Sequence, residues 1–327
     1  MLRPPRFWSN GNSVLPTMLS PLAAISARLA ASRVARPGFA APVPVLCCGN
    51  ATLGGTGKTT LALDLARGLR AAGVAVHILA RGYGGRARGP LRVMPEHDAS
   101  LVGDEALLLA NAAPTWIGAD RAATARLAIA AGAAALVMDD GLQNPNLRKS
   151  LSFLVIDGGA GFGNGHVFPA GPLREPLAAA AARTAAAVLI GPDRANARAL
   201  LPRGLPVLTA RLVPGPEAAV LAGRRVLAFA GIGRPDKFFA TLEAAGARLI
   251  GHRGFPDHHP YRESEISRLL ENATKHDALP VTTAKDQVRI PPALREHVAV
   301  LTVTLAWDDP GALAALLAPL FPDVALS

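Results

Sequence analysis

Cysteine is nearly absent: the 327 residues hold two, Cys47 and Cys48. They are adjacent, so on a strand their side chains point to opposite faces. This excludes a disulfide framework or a cysteine metal cluster and leaves two small core residues in a reducing cytoplasm. An unbroken membrane-spanning run is missing too. Residues 13–40 are apolar, but Pro16, Pro21 and Arg28 interrupt them and Arg33 and Arg36 follow. Apolar first and positive afterwards is the wrong order for a cleaved signal. Acidic residues are scarce, 24 against 34 Lys and Arg, for a net charge of +10. That excess suits an anionic partner, whether nucleotide, nucleic acid or acidic membrane surface. A general richness in Ala, Gly, Pro and Arg produces the same excess without any partner. There is no internal repeat, and 50% hydrophobic content is enough for a large core in two domains.

What is present begins with "GNATLGGTGKTTLALDLA", residues 49–66. A phosphate-binding loop reads G-x-x-x-x-G-K-[ST], and here Thr52 takes the first glycine's place. The flanks decide the reading. "PVPVLCCG" before it is a strand-like apolar run, and "TTLALDLARGLRAAG" after it carries Leu and Ala at helical spacing up to Gly73. In a strand–loop–helix of this kind, backbone N–H groups and the helix dipole face an anion. Lys58 reaches the terminal phosphates and the Thr59 hydroxyl can ligate Mg²⁺. Gly54, Gly55 and Gly57 allow the close backbone approach.

From residue 43 to about 156 apolar strands alternate with helical stretches, at 43–48, 74–80, 114–117, 133–138 and 153–156. This is the pattern of a mainly parallel sheet covered by helices. Further strands are expected near 187–190 and 206–211. Pro214-Gly215-Pro216 marks a boundary, and "RRVLAFAGIGRPDKFFATLEAAGARLI" opens a second α/β unit. Its "GIGRPDKF" lacks the third glycine of a dinucleotide fingerprint. The expected organisation is an N-terminal segment, 1–40, a nucleotide-binding domain, 41–212, and a second domain, 213–327. A helix from about 20 to 34 would carry Leu22, Ile25, Leu29 and Ala30 on one face. It suits an interfacial anchor on an anionic leaflet or a helix packed on the domain equally well.

Two acidic pairs stand out. Asp139 and Asp140 end "ALVMDDGLQ" at the tip of a buried strand, where a phosphate-loop protein holds Mg²⁺. Asp104 and Glu105 open the helix "GDEALLLA", as N-terminal capping acids or as a base for an acceptor hydroxyl. His258 and His259 in "GFPDHHPYR" have no Cys or HExxH companion, so a zinc site is not indicated. They are solvated loop histidines, or one of them crosses the cleft to Asp104. Two glycine-rich loops follow strands: "RGYGGRARGP" at 81–90 sits where open α/β sheets contact ligands, and "GGAGFGNGHVFPAGPLREP" after Asp157 is too long for an ordinary connection, the mark of a functional loop.

Together "GNATLGGTGKT", "RGYGG", "GDEALLLA", "DDGLQN", "GFGNGHVFPAGPLREP", "FPDHHPY" and "TTAKD", in this order over residues 49–286, closely resemble the tetraacyldisaccharide 4'-kinase (lipid A 4'-kinase) family. That family's loop also starts with Thr. The resemblance implies a P-loop NTPase-like α/β/α sandwich with a smaller α/β/α domain. It implies transfer of the γ-phosphate of ATP, with Mg²⁺, to the 4'-hydroxyl of an acylated glucosamine disaccharide 1-phosphate. The expected setting is the anionic surface of the inner membrane's cytoplasmic face, for a monomer without nucleic acid. Thr52, Leu53, Gly54, Gly55, Thr56, Gly57, Lys58, Thr59 and Thr60 then bind nucleotide, and Thr59, Asp139 and Asp140 lie at the metal. Asp104 acts as base with His258, preferred over His259, as its partner. Arg81, Tyr83, Glu105, Gln143, Arg174, Glu175 and His259 line the cleft. Thr60 and Ala106 stand where the family usually has proline, at helix starts where proline is optional.

Two other classes fit less well. Partitioning ATPases with "KGGxGKT" loops use an extra lysine where Leu53 stands. The "TAKD" of residues 283–286 is not the [NT]-K-x-D of a GTPase.

Overall fold

The computed structural model describes residues 5–8 and 14–325. Residues 1–4 and 9–13 of the expected membrane-associating segment lie outside the described residues. A 3-10 turn, Arg6–Trp8, precedes α1, Leu15–Val34. The chain continues through β1 (Val45–Gly49), α2 (Lys58–Ala71), β2 (Val76–Ala80), β3 (Leu91–Arg92), α3 (Ala99–Val102) and α4 (Asp104–Ala110). Next come β4 (Thr115–Ile117), α5 (Arg121–Ala130), β5 (Ala135–Asp139), β6 (Leu151–Asp157), α6 (Leu177–Ala181), β7 (Ala186–Ile190) and β8 (Val207–Pro214). The second part holds α7 (Glu217–Leu221), β9 (Arg225–Ala230), α8 (Pro235–Ala244), β10 (Arg248–Gly254), α9 (Glu263–Lys275), β11 (Leu279–Thr283) and α10 (Ala284–Gln287). It ends with β12 (Ala299–Leu301), β13 (Val303–Trp307) and α11 (Pro310–Leu317).

Two sheets result. The first has nine strands in the order β13-β8-β7-β6-β1-β5-β2-β4-β3, and the second four, β10-β9-β11-β12. All pairings are parallel except β13 with β8 and β3 with β4 at the two edges of the large sheet. Central strands of a parallel sheet are covered on both faces and therefore read as unbroken apolar runs. Every residue of β1, β2, β5 and β7 is buried. Cys47 and Cys48 are free and buried in β1, and they enter the cores on opposite faces of the sheet. Leu61, Leu65 and Leu69 of α2 cover one face, while Ala125 and Ala128 of α5 pack on the other. In the second sheet Phe238, Phe239 and Leu242 of α8 lie opposite Ile266, Leu269 and Ala273 of α9.

The seven expected strands are all present, their ends shifted by up to three residues. The last part of the chain departs from expectation. Residues 303–325 were grouped with the second unit, but β13 pairs antiparallel with β8 and so completes the first sheet. Trp307 donates to Asp64 Oδ2 of α2 at 2.9 Å, and Leu317 and Phe321 enter the first core. The two connections between the sheets touch: Gly215 N donates to Thr302 O at 2.9 Å, and a Cβ on Gly215 would clash with the Thr302 hydroxyl.

Helix α1 starts a turn earlier than expected. Its large apolar side chains, Leu15, Met18, Leu22, Ile25 and Leu29, are exposed, whereas Pro16 and Ala23 are buried. Among the described residues no helix is long and apolar enough to cross a membrane.

Candidate active site

The large sheet's β1 delivers the chain into the glycine loop, and Gly57 caps α2 with φ +93° and no side-chain cap. A Cβ there would sit 2.6 Å from Ile190 Cδ1, so glycine is needed for both backbone and space. The first N–H groups of α2 therefore face the loop's concavity, an anion-binding arrangement. Thr56 carries a buried hydroxyl without a hydrogen-bond partner.

Parallel pairing of β5 beside β1 puts Asp139 and Asp140 next to this loop. Thr59 Oγ1 donates to Asp139 Oδ2 at 3.0 Å, while Asp139 Oδ1 is buried and unpartnered. Burial first, then the nearby Glu105, pushes the Asp139 carboxyl up to about 7. Asp140 differs although it is adjacent. Burial would raise it, but Lys58, 3.8 Å away, and Arg174, at 2.9 Å, hold it below the usual carboxylate range.

Arg174 also donates from Nε to Thr52 O at 3.1 Å, and Leu53 N donates to Pro172 O at 2.7 Å. The "GPLREP" segment thus braces the phosphate loop from outside. Gln143 Nε2 donates to Asn50 O at 2.8 Å and to Glu175 Oε1 at 2.9 Å, and Arg183 pairs with Glu175 at 2.7 Å. Gln143, Arg174 and Glu175 form one network around the loop.

The other wall comes from both sheets. Asp104, the first residue of α4, is 5% exposed, and its Oδ2 lies 2.7 Å from His258 Nδ1 of the second sheet. Their separation of 154 residues in sequence is closed only by the fold. Arg289 Nε lies 3.6 Å from the same oxygen, and Lys285 Nζ lies 3.4 Å from Glu105 Oε1. Burial pushes Asp104 up, yet the His258 hydrogen bond and the charges of Lys285 and Arg289 outweigh it and hold the carboxyl below its ordinary value. A fourth bridge between the two parts joins Arg234 to Asp157 at the end of β6.

The remaining expected residues divide. Tyr83 is exposed, with its ring edge-on to His258 at 6.3 Å between centroids. Arg81 is exposed beside the same loop, and Thr60 lies in the first turn of α2. His259 turns away from Asp104: Nε2 lies 3.1 Å from Glu265 Oε2 and the ring stacks on Phe255. Arg289 and Lys285 also line this wall without having been expected there, although "TTAKD" contains Lys285 and Arg289 follows Asp286 by three residues, an ion-pair spacing.

The profile of the Tetraacyldisaccharide-1-P 4'-kinase family matches residues 15–321. A Tetraacyldisaccharide 4'-kinase of Gluconacetobacter diazotrophicus is 59% identical over 308 residues, 94% of each chain. One from Rhodospirillum centenum is 54% identical over 98% of this chain and 97% of its own. Among solved structures, LpxK from Aquifex aeolicus in complex with ATP superposes with a TM-score of 0.74 at 24% identity, covering 94% of this chain and 99% of that one. That likeness establishes the P-loop-like α/β/α fold.

Proposed function

The chain belongs to the tetraacyldisaccharide-1-P 4'-kinase family, and from that premise we propose that it moves the γ-phosphate of ATP onto the 4'-hydroxyl of tetraacyldisaccharide 1-phosphate. The product is the 4'-phosphorylated lipid A precursor. The observation that carries the reading is the pairing of Asp104 with His258 at 2.7 Å in the cleft that holds the phosphate loop and the Asp139-Asp140 pair.

Each residue's part follows from its chemistry. Loop N–H groups from Thr52 to Thr60 and the Lys58 ammonium bind the β- and γ-phosphates and offset their charge. Asp104 takes the proton of the attacking 4'-hydroxyl, and His258 keeps the carboxylate oriented. Arg174, Gln143 and Glu175 fix the loop's shape, while Tyr83 and Arg81 face the acceptor.

The acids at β5 fit a divalent cation, since the buried Asp139 Oδ1 has no partner in the protein. Among the described residues no three-ligand His, Cys, Asp or Glu cluster occurs. Two carboxylates and a hydroxyl suit Mg²⁺, which keeps waters and substrate oxygens in its shell. Thr59, Asp139 and Asp140 would hold it, and its charge would offset that of the transferring phosphoryl group.

The acceptor is a lipid, and α1 supports peripheral attachment to the cytoplasmic face of the inner membrane. Its outward stripe of Leu15, Met18, Leu22, Ile25 and Leu29 can enter the interface while Arg28, Arg33 and Arg36 meet anionic headgroups.

The deciding experiment incubates the protein with Mg²⁺, γ-labelled ATP and the tetraacylated disaccharide 1-phosphate, then separates the lipid. Label is expected in the lipid with wild type and reduced by about 10²–10⁴-fold with Asp104→Ala. ATP hydrolysis indifferent to the lipid would instead indicate a switch ATPase.

A further inference from the structure

Residues 158–176 connect β6 to α6 as an irregular loop, and six of them are glycine, so ordering this loop costs more backbone entropy than usual. Its far end nevertheless has a fixed shape against the phosphate loop. Leu53 N donates to Pro172 O at 2.7 Å, Arg174 N donates to Ala51 O at 2.7 Å, and Leu173 bridges to Thr52. Asp157 holds the near end by accepting from Gly159 N and Ala160 N. The middle is held from outside, by the N-terminal turn Arg6–Trp8.

Trp8 Nε1 donates to Pro169 O at 3.1 Å, and Trp8 O accepts from Asn164 N at 2.7 Å. Asn164 Nδ2 donates to Phe7 O at 3.1 Å and to Ala170 O at 3.0 Å, while its Oδ1 accepts from His166 N at 3.1 Å. Asn164 thus ties the turn to both limbs of the loop. Phe168 meets the Trp8 ring edge-on, with 6.1 Å between centroids. Gly163 lies between Trp8 and the brace on the phosphate loop: a Cβ there would sit 2.5 Å from Trp8 O and 2.7 Å from Pro172 Cγ. One glycine therefore separates the turn from the proline whose carbonyl holds Leu53. Phe7 and Trp8 are half-buried and belong to none of the hydrophobic cores. Among the described residues, their hydrogen bonds to the rest of the chain fall on this loop. What the turn sets is the loop's shape.

We propose that Trp8 is a positioning residue for nucleotide binding: with Phe7 it brackets the 158–176 loop, which in turn holds the phosphate loop in its ATP-competent shape. This rests on the phosphate loop binding nucleotide and on nothing about the acceptor. Without the bracket the glycine-rich loop samples other shapes, and affinity falls by the fraction of time that the competent one is populated. A population of about one-tenth would weaken ATP binding about tenfold. Helix α1 begins at Leu15, shortly after Trp8. The helix proposed to lie on the membrane is thus joined to the turn that shapes the nucleotide site, and one stretch of chain serves both attachment and ATP binding.

The test is equilibrium titration in detergent with a non-hydrolysable ATP analogue and Mg²⁺, for wild type, Trp8→Ala, Trp8→Phe and a variant lacking residues 2–8. Kd should rise about tenfold in Trp8→Ala and in the truncated variant. In Trp8→Phe, which keeps a ring and loses the bond to Pro169 O, it should rise about threefold or less. Hydrogen exchange should quicken at the Leu53 and Arg174 amides while β6 and β7 stay protected. Flotation with anionic vesicles should hold, because α1 is intact. Wild-type Kd and exchange in the truncated variant would overturn the proposal. So would a loss of flotation at unchanged Kd, which makes Trp8 an interfacial anchor alone, or faster exchange throughout β6 and β7, which reduces it to a stability role. Should the analogue fail to bind wild type, the proposed function fails first, and exchange at Leu53 still decides whether Trp8 braces the loop.

Discussion

Two buried aspartates, Asp139 and Asp104, share one cleft and are pushed in opposite directions. Asp139 has one oxygen without a partner and is raised to about 7. Asp104 is met by His258, Lys285 and Arg289 and is held below its ordinary value. The difference lies in where the compensating charge comes from. At Asp104 the chain supplies it from its own second sheet, whereas at Asp139 Lys58 and the Thr59 hydroxyl only partly offset the burial. The metal role proposed for Asp139 and the proton-transfer role proposed for Asp104 thus rest on a difference in leftover valence.

The strongest way to break the comparison is to remove the Asp104 carboxylate. Asp104→Ala should lower transfer by about 10²–10⁴-fold while ATP affinity is unchanged. Loss of nucleotide binding in the same variant, measured by fluorescence titration, would make Asp104 part of the nucleotide site and erase the distinction.

The next effect is on stability. Unfolded, Asp139 titrates near 3.8, and folded at about 7. Between those values the folded state keeps a proton that the unfolded chain has lost, so metal-free stability falls as pH rises from about 4 to 7, by up to about 4 kcal/mol. Asp104 works the other way and at lower pH: its contribution is present above 3.8 and is lost as pH falls through its depressed folded value. Urea unfolding of metal-free Asp139→Asn should show a shallower decline across that window than wild type. An equally steep decline would trace the loss to other groups.

Arg174 sharpens the comparison from the Asp139 side, because it bonds to Asp140 and to Thr52 O together. Arg174→Ala should weaken ATP binding about tenfold, through a looser loop and an unmatched Asp140. The KM for the lipid acceptor is expected to hold steady. The mildest test serves as a control remote from both aspartates: Leu22→Gln with Ile25→Gln should reduce flotation with anionic vesicles but alter activity in detergent by less than about twofold. A large loss in detergent would tie α1 to the cleft.

Much of this was legible in the sequence, for local reasons. An apolar run, a glycine loop and a periodic helix are set by neighbours, so β1, the phosphate loop and α2 could be read directly. Asp104 could not be resolved between cap and base, because the decisive contact comes from His258, 154 positions away. Arg289 was invisible for the same reason: its value lies in four bonds to backbone and side chains that only the folded second sheet assembles. His258 and His259 are adjacent and chemically alike, and the left-handed backbone at His258 sends them in different directions. The five residues of β13 carry the pattern of any edge strand, and nothing in them says which sheet receives them.

That last strand also sets an order in time. During synthesis the chain finishes eight strands of the large sheet, then builds the whole four-stranded body, and only afterwards produces the strand that lies against β8. Until residues 303–321 have emerged, the β8 edge stays open and Asp64 lacks the Trp307 indole that will meet it. The nucleotide-binding half is thus the first to begin folding and the last to finish. By then its companion is already attached through two connections that touch at Gly215 and Thr302. A nascent chain released early would hold nearly every catalytic group and an unsealed sheet, a form that quality control can recognise by its exposed edge.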